Sequence, residues 1–179
     1  MRIINGKYKS RRITAPNNLP VRPTTDMAKE GLFNVINNEF HFDTLVVLDL
    51  FSGTGNISYE FSSRGAKSVT SIDNNHHCIR FIKNTASELG FEQMNVLKSD
   101  VKKYVDTSAS TFRLIFADPP YDMEGQEDLF KTIMQGNLLE DRGWLIIEHD
   151  AHHSFENLPG FKQQRRYGSV NFTILEKQS

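Results

Sequence analysis

The chain has 179 residues, 38% of them apolar and 24% charged, and a net charge of −1. That length fits one domain with a sizeable core and at most a short appendage. No apolar run approaches the roughly 18 residues of a membrane span, the first residues lack a signal-peptide pattern, and the near-neutral balance argues against general affinity for nucleic acid.

The charge is unevenly spread. Arg2, Lys7, Lys9, Arg11, Arg12 and Arg22 fall in the first 25 residues with no acid among them, leaving 15 basic against 22 acidic residues elsewhere, a net of −7. Within this stretch Asn5-Gly6 separates two strand-like pieces, which predicts a β-hairpin with strands near 2–4 and 7–13, closed by Pro16. A ribbon that small needs support from a larger body. Residues 1–20 therefore read as a basic arm and 21–179 as the main domain. Lys and Arg on the arm suit RNA phosphates and Tyr8 offers a ring for stacking. The alternative is a solvated edge ribbon whose charges keep it soluble.

Arg22-Pro23-Thr24-Thr25-Asp26 leads into a predicted helix over 27–40, capped by Thr25 or Asp26, with Met27, Leu32, Phe33, Val35 and Ile36 as its apolar stripe. Arg22 and Thr24 either reach a phosphate or brace this loop. From Leu45 strands and helices alternate. Strands are expected at 45–50, 68–72, 94–98, 112–117 and 144–148, and helices near 54–64, 75–89 and 126–136, with a short turn after Asp100. Runs such as Leu45-Val46-Val47-Leu48 and Trp144-Leu145-Ile146-Ile147 lack alternation, as in strands covered on both faces. The pattern predicts a Rossmann-like, doubly wound, mostly parallel α/β sheet. Segments 161–167 and 169–176 close it as an antiparallel C-terminal hairpin around Gly168.

Two stretches carry chemistry. Asp49-Leu50-Phe51-Ser52-Gly53-Thr54-Gly55 runs from the first strand into a helix, where glycines permit close backbone approach and the helix N-terminus favours an anionic group. A dinucleotide fingerprint needs a third glycine where Ser58 stands, which disfavours hydride chemistry. Asp49, Asp73 and Asp100 sit at or just beyond three successive strand ends. Together they suit a ligand with a cationic amine, a ribose diol and an adenine amine, although Asp73 and Asp100 each also suit a helix cap. Phe51, Asn74 and Val101 adjoin them. The second stretch is Asp118-Pro119-Pro120-Tyr121, where consecutive prolines end the strand 112–117. It leaves a carboxylate, carbonyls and an aromatic ring at the sheet edge where open α/β folds bind ligands. This set suits a planar group bearing an NH2 that is held there while it is methylated.

These two motifs resemble the class I S-adenosylmethionine-dependent amino-methyltransferases. The wider set resembles the bacterial small-subunit (16S) rRNA guanine-N2 methyltransferase family: Arg2-Ile3-Ile4, Gly6-Lys7-Tyr8-Lys9, Arg22-Pro23-Thr24-Thr25-Asp26, Leu32-Phe33-Asn34, Ser63-Arg64-Gly65-Ala66, Glu148-His149 and Arg166-Tyr167-Gly168. Met27-Ala28-Lys29 departs from a stretch that commonly bears arginine there, and the helix after Gly55 is more polar than usual. The resemblance implies S-adenosylmethionine as donor and S-adenosylhomocysteine as product, with Asp49 and Gly53 near the methionine portion, Asp73 on the ribose and Asp100 on the adenine. It implies that Asp118 and the Pro119 carbonyl accept from guanine N2 while Tyr121 stacks on the base. It also implies small-subunit rRNA as partner, within an assembling or assembled 30S particle, and a monomeric enzyme. Adenine N6, glutamine N5 and a non-catalytic assembly role are the alternatives.

No metal is expected, because the six histidines have no cysteine cluster beside them. His149 reads equally as a site residue or a satisfied structural one. Cys78, the sole cysteine, reads as a small buried helix residue and fits a cytoplasmic location.

Overall fold

The computed structural model describes residues 1–20 and 22–179. One seven-stranded sheet organises the chain, its strands being β1 (Val46–Leu50), β2 (Ser68–Asp73), β3 (Met94–Lys98), β4 (Phe112–Ala117), β5 (Leu139–His149), β6 (Phe161–Tyr167) and β7 (Val170–Glu176). Their spatial order is β3-β2-β1-β4-β5-β7-β6. The first five run parallel, and β7 is antiparallel to both β5 and β6. Strand order reverses beside β1, so the carboxyl ends of β1 and β4 flank the crevice in which such folds take ligands.

The expected α/β sheet with its C-terminal hairpin is borne out. Five α-helices accompany it: α1 (Asp26–Glu39), α2 (Asn56–Ser63), α3 (His76–Glu88), α4 (Val101–Thr107) and α5 (Gln126–Gln135). The turn anticipated after Asp100 is a full helix, α4, capped by the Asp100 side chain on the Lys103 N–H. Side chains from α4 and α5 meet Leu48, Ile115 and Ile147 on one face of the sheet, while α1 and α2 meet Val47, Phe116 and Ile146 on the other. Burial on both faces explains the unalternating apolar runs. Of the expected stripe on α1, Leu32, Phe33 and Ile36 are buried, but Met27 is exposed and its place inside is taken by Ala28 and Lys29. Thr25 is the N-cap, accepting from the Ala28 N–H.

The N-terminal segment departs from the expected hairpin. Only one antiparallel bridge forms, Arg2 with Arg12, and residues 5–10 make successive turns instead of a two-residue Asn-Gly loop. The reason is docking on α2. Gly6 (φ +88°) lies against the end of α2 so closely that a Cβ there would sit 2.0 Å from the Ser63 carbonyl oxygen. The Lys7 N–H donates to that same carbonyl, and the Ile4 and Asn5 N–H groups donate to the Glu60 carboxylate. Ile3 and Ile13 complete the contact by entering a core with Tyr59, Ile79 and Ile82. The polarity of α2 is thereby explained. Every residue from 56 to 63 is buried, and Asn56, Ser58, Glu60 and Ser63 meet polar partners instead of solvent, whereas the Tyr59 hydroxyl and Ser62 Oγ have none among the described residues.

Candidate active site

The chain leaves β1 through a loop with three left-handed residues, Phe51 (φ 58°), Gly53 (φ 55°) and Gly55 (φ 84°). Such a conformation is rare for a residue as bulky as Phe51 and is held by over-determined surroundings. Ser52 donates to the Ile72 carbonyl through both N–H and Oγ, and the Gly53 N–H donates to Asp73 Oδ2 at 2.9 Å. Asp73 also accepts from the Asn75 N–H, so this acid braces the loop it faces. A cavity of about 760 Å³ opens beside the loop. Asp49, Phe51, Gly53, Asp73, Asn74, Asp100 and Val101 line it, as do Asp118, Pro119 and Tyr121, so both sequence motifs share one space. Gly55 does not line it. A Cβ at Gly55 would sit 2.7 Å from the Tyr59 ring, so this glycine serves packing on α2 and not ligand approach.

The cavity is acidic. Asp49, Asp73, Asp100, Asp118 and Asp122 line it against two cations, Arg22 and Lys102. Asp49 is 1% exposed, and its Oδ2 accepts from Ser58 Oγ at 2.6 Å. Burial raises its pKa to about 7, the Ser58 hydrogen bond opposes that rise, and Asp73 adds to it. A buried carboxylate with that balance is poised to take a cationic group.

A second, smaller pocket of about 260 Å³ adjoins the first. Asp118, Pro119 and Tyr121 belong to both, and Glu148, His149 and Val170 line only the smaller one. Ala117 of β4 pairs in register with Ile147 of β5, so Asp118 and Glu148, the residues that follow this pair, lie side by side at the carboxyl edge of the sheet. Burial raises the pKa of Asp118 well above the usual carboxylate range, and the nearby charges of Glu148 and Asp49 raise it further. Glu148 rises to about 7 for want of solvent, against a hydrogen bond from Thr24 Oγ1 at 2.6 Å. The two acids titrate as a pair.

The proline turn is held from below: Pro120 O accepts from the Met123 N–H at 3.0 Å and from Gln126 Nε2 at 3.1 Å. Among the described residues, neither Pro119 O nor the Asp118 carboxylate accepts a hydrogen bond. Tyr121 stands 77% exposed at the mouth shared by the two pockets.

Other assigned residues have partners of their own or stand on the arm. Thr24 is buried and bonded to Glu148, so it braces the site and is not available to RNA. Tyr8 is likewise unavailable for stacking: its hydroxyl donates to the Leu89 carbonyl and its ring meets Phe91 edge-on. Arg2 pairs with Asp26 at 3.0 Å. Lys7, Lys9, Arg11 and Arg12 are exposed on the docked arm, and Arg22 is exposed at the rim of the larger cavity. His149 is satisfied structurally, Nδ1 at the Asp150 carbonyl and Nε2 at Thr173 Oγ1, both 2.8 Å. Glu148 has no role assigned from sequence; its signals are the Glu148-His149 pair within the family resemblance and its position directly after an apolar strand core.

Comparison with known proteins agrees with this architecture. A family model described as conserved hypothetical protein 95 matches residues 1–176. The Bacillus subtilis (strain 168) protein YlbH is 31% identical over 99% of this chain and 100% of its own length. Ribosomal RNA small subunit methyltransferase D of Escherichia coli (strain K12) is 28% identical over 100% of this chain and 91% of its own. Among solved structures, the Escherichia coli protein yhhF superposes with a TM-score of 0.87 at 21% identity, covering 99% of this chain and 98% of that one. The resemblance carried by the two loop motifs and their flanking segments is thus borne out: the chain is similar to ribosomal RNA small subunit methyltransferase D and belongs to the conserved hypothetical protein 95 family.

Proposed function

We propose that the protein transfers a methyl group from S-adenosylmethionine to the exocyclic N2 amine of a flipped-out guanine in small-subunit ribosomal RNA. The observation that carries this reading is the pair of unpartnered acceptors, the Asp118 carboxylate and the Pro119 carbonyl, on the wall common to both pockets. The larger cavity falls within the roughly 300–1,000 Å³ of small-molecule sites, and its excess of carboxylates suits a sulfonium and an ammonium. When bound there, S-adenosylmethionine supplies a methyl group already activated for attack. Asp49 and the Gly53 backbone would hold the methionine portion, Asp73 the ribose, and Asp100 with Asn74 and Val101 the adenine.

Catalysis then falls to placement. A guanine N2 lone pair is delocalised into the ring and is a poor nucleophile. Asp118 and Pro119 O accept its two N–H bonds, draw the nitrogen toward tetrahedral geometry and aim its lone pair at the larger cavity. The Asp118 carboxylate opposes the positive charge that develops on nitrogen as the methyl arrives. It also lies where the proton lost from that nitrogen can be received. Tyr121 covers the base at the mouth. Good alignment alone supplies about 7–11 kcal/mol.

A paired base cannot enter the smaller pocket, so the target is unpaired or extruded from its stack. Lys7, Lys9, Arg11, Arg12 and Arg22 would grip the flanking phosphates of rRNA presented on an assembling or assembled 30S particle, with the protein acting as a monomer. Labelled methyl transfer to rRNA and to small-subunit particles, followed by nucleoside analysis, tests the reading. N2-methylguanosine is the expected product. N6-methyladenosine, or label recovered only in protein, would overturn it.

A further inference from the structure

Guanine presents three donors along its Watson–Crick edge, two N–H bonds on N2 and one on N1. The two acceptors of the proline turn account only for the pair on N2. A third acceptor on the same wall lies at the end of the neighbouring strand. Glu148 lines the smaller pocket with Asp118 and lies in β5 at the level at which Asp118 leaves β4, since Ala117 and Ile147 are paired. Its Oε2 is fixed by Thr24 Oγ1, a buried hydroxyl on the segment leading into α1. That bond uses one oxygen and sets the carboxylate plane. Oε1 has no partner among the described residues.

We propose that Glu148 is the residue that selects guanine, accepting the N1–H while Asp118 and Pro119 O hold the N2 amine. This inference rests on the N2 reading above and goes further by assigning the discrimination between purines to a side chain outside the proline motif. Three donors meet three acceptors. Adenine, and any purine with a bare N1, brings a lone pair against the Glu148 carboxylate instead. A pocket whose buried acceptor is left facing another acceptor rejects that ligand strongly, because both lose their hydrogen bonds to water. The arrangement also gives the two like-charged acids a reason to be adjacent. Without a ligand burial and their mutual repulsion push both toward the protonated form, and the row of N–H donors favours ionisation.

Thr24 acts through Glu148. Its hydroxyl is a positioning group, and the side chain touches the base only by way of the carboxylate it holds.

The test uses three short single-stranded RNA oligonucleotides that differ at one nucleotide: guanosine, 2-aminopurine riboside or inosine. 2-Aminopurine keeps the N2 amine and lacks the N1–H, and inosine keeps N1–H and lacks the amine. Affinity for the full-length protein saturated with S-adenosylhomocysteine is measured at pH 8 for wild type and Glu148→Gln. The wild type should prefer guanosine over 2-aminopurine by at least about tenfold. Glu148→Gln, whose amide donates as well as accepts, should bring that ratio within about threefold while keeping the preference for guanosine over inosine. Equal wild-type affinity for guanosine and 2-aminopurine with weaker inosine binding would overturn the role of Glu148 and leave the N2 reading standing. So would an undiminished ratio in Glu148→Gln. Equal affinity for all three would remove the N2 reading as well. The wild-type comparison needs no variant, so it decides the matter even if Glu148→Gln folds poorly.

Discussion

Asp49→Asn offers a measurement in which stability and ligand affinity should move in opposite directions. The carboxylate is sealed against solvent, and burial lifts its pKa from 3.8 to about 7. The sign follows from that rise. Between pH 4 and 7 the folded protein keeps a proton that the unfolded chain has already released. Stability from this group is therefore full below pH 4, drains away as pH rises to about 7, and stays low beyond. A rise from 3.8 to about 7 sets the loss on the order of 4 kcal/mol at pH 8 and about 2 kcal/mol at pH 5. Asparagine has the same shape, carries no charge and keeps an oxygen to accept from Ser58. The variant's advantage over wild type should widen by about 2–3 kcal/mol between pH 5 and pH 8. Urea unfolding followed by fluorescence of Trp144, the single tryptophan and a buried one, reads this directly. Affinity for S-adenosylmethionine should fall about 10- to 100-fold, as expected when a charged hydrogen-bond partner is lost. An advantage identical at the two pH values would refute the assigned ionisation, and donor binding as tight as wild type would remove Asp49 from the site.

Other expectations concern the base pocket and the arm. Asp118→Ala should abolish methyl transfer while donor affinity stays within a few fold of wild type; comparable turnover would exclude the role given to this carboxylate. Arg11→Ala with Arg12→Ala should weaken RNA binding and lower the slope of log affinity against log salt by about 1–2, and an unchanged slope would separate the arm from RNA. Glu60→Ala strands Lys29, a fully buried cation whose Nζ lies 3.4 Å from Glu60 Oε2, and should cost about 3–5 kcal/mol in urea unfolding. A loss under about 1 kcal/mol would mean that Lys29 finds another partner. Gly31→Ala ought to help a helix by about 1 kcal/mol, yet its Cβ would lie 2.2 Å from the Tyr167 ring, so net destabilisation of about 1–3 kcal/mol is expected. A melting temperature above wild type would contradict this packing.

The central sheet was legible because parallel strands buried on both faces leave unbroken apolar runs, and because glycines and prolines punctuate their ends. Asp49, Asp73 and Asp118 were legible for a related reason: an acid directly after such a run has only the carboxyl edge of the sheet to occupy. What escaped depends on partners distant in sequence. Glu148 becomes a pocket residue only through the register of β4 and β5, and Thr24 declares itself only through contact with Glu148, 124 residues away. The arm misled for the same reason. Asn5-Gly6 is a strong hairpin signal locally, but Glu60 and Ser63 offer the N–H groups of Ile4, Asn5, Lys7 and Tyr8 better partners than a ribbon does. Lys29 falls outside the apolar stripe expected of α1, yet it lies buried at the core of an ion network because Glu60 is opposite it.

Helix α2 touches everything at once: Ser58 holds Asp49 at one end, and Glu60 and Ser63 hold the N-terminal residues at the other. Swapping residues 1–13 for those of a relative would therefore graft a key without its lock. A chimera that carries 58–64 across with them is the one expected to fold, so altering which RNA is grasped entails rebuilding a piece of the donor site's own scaffold.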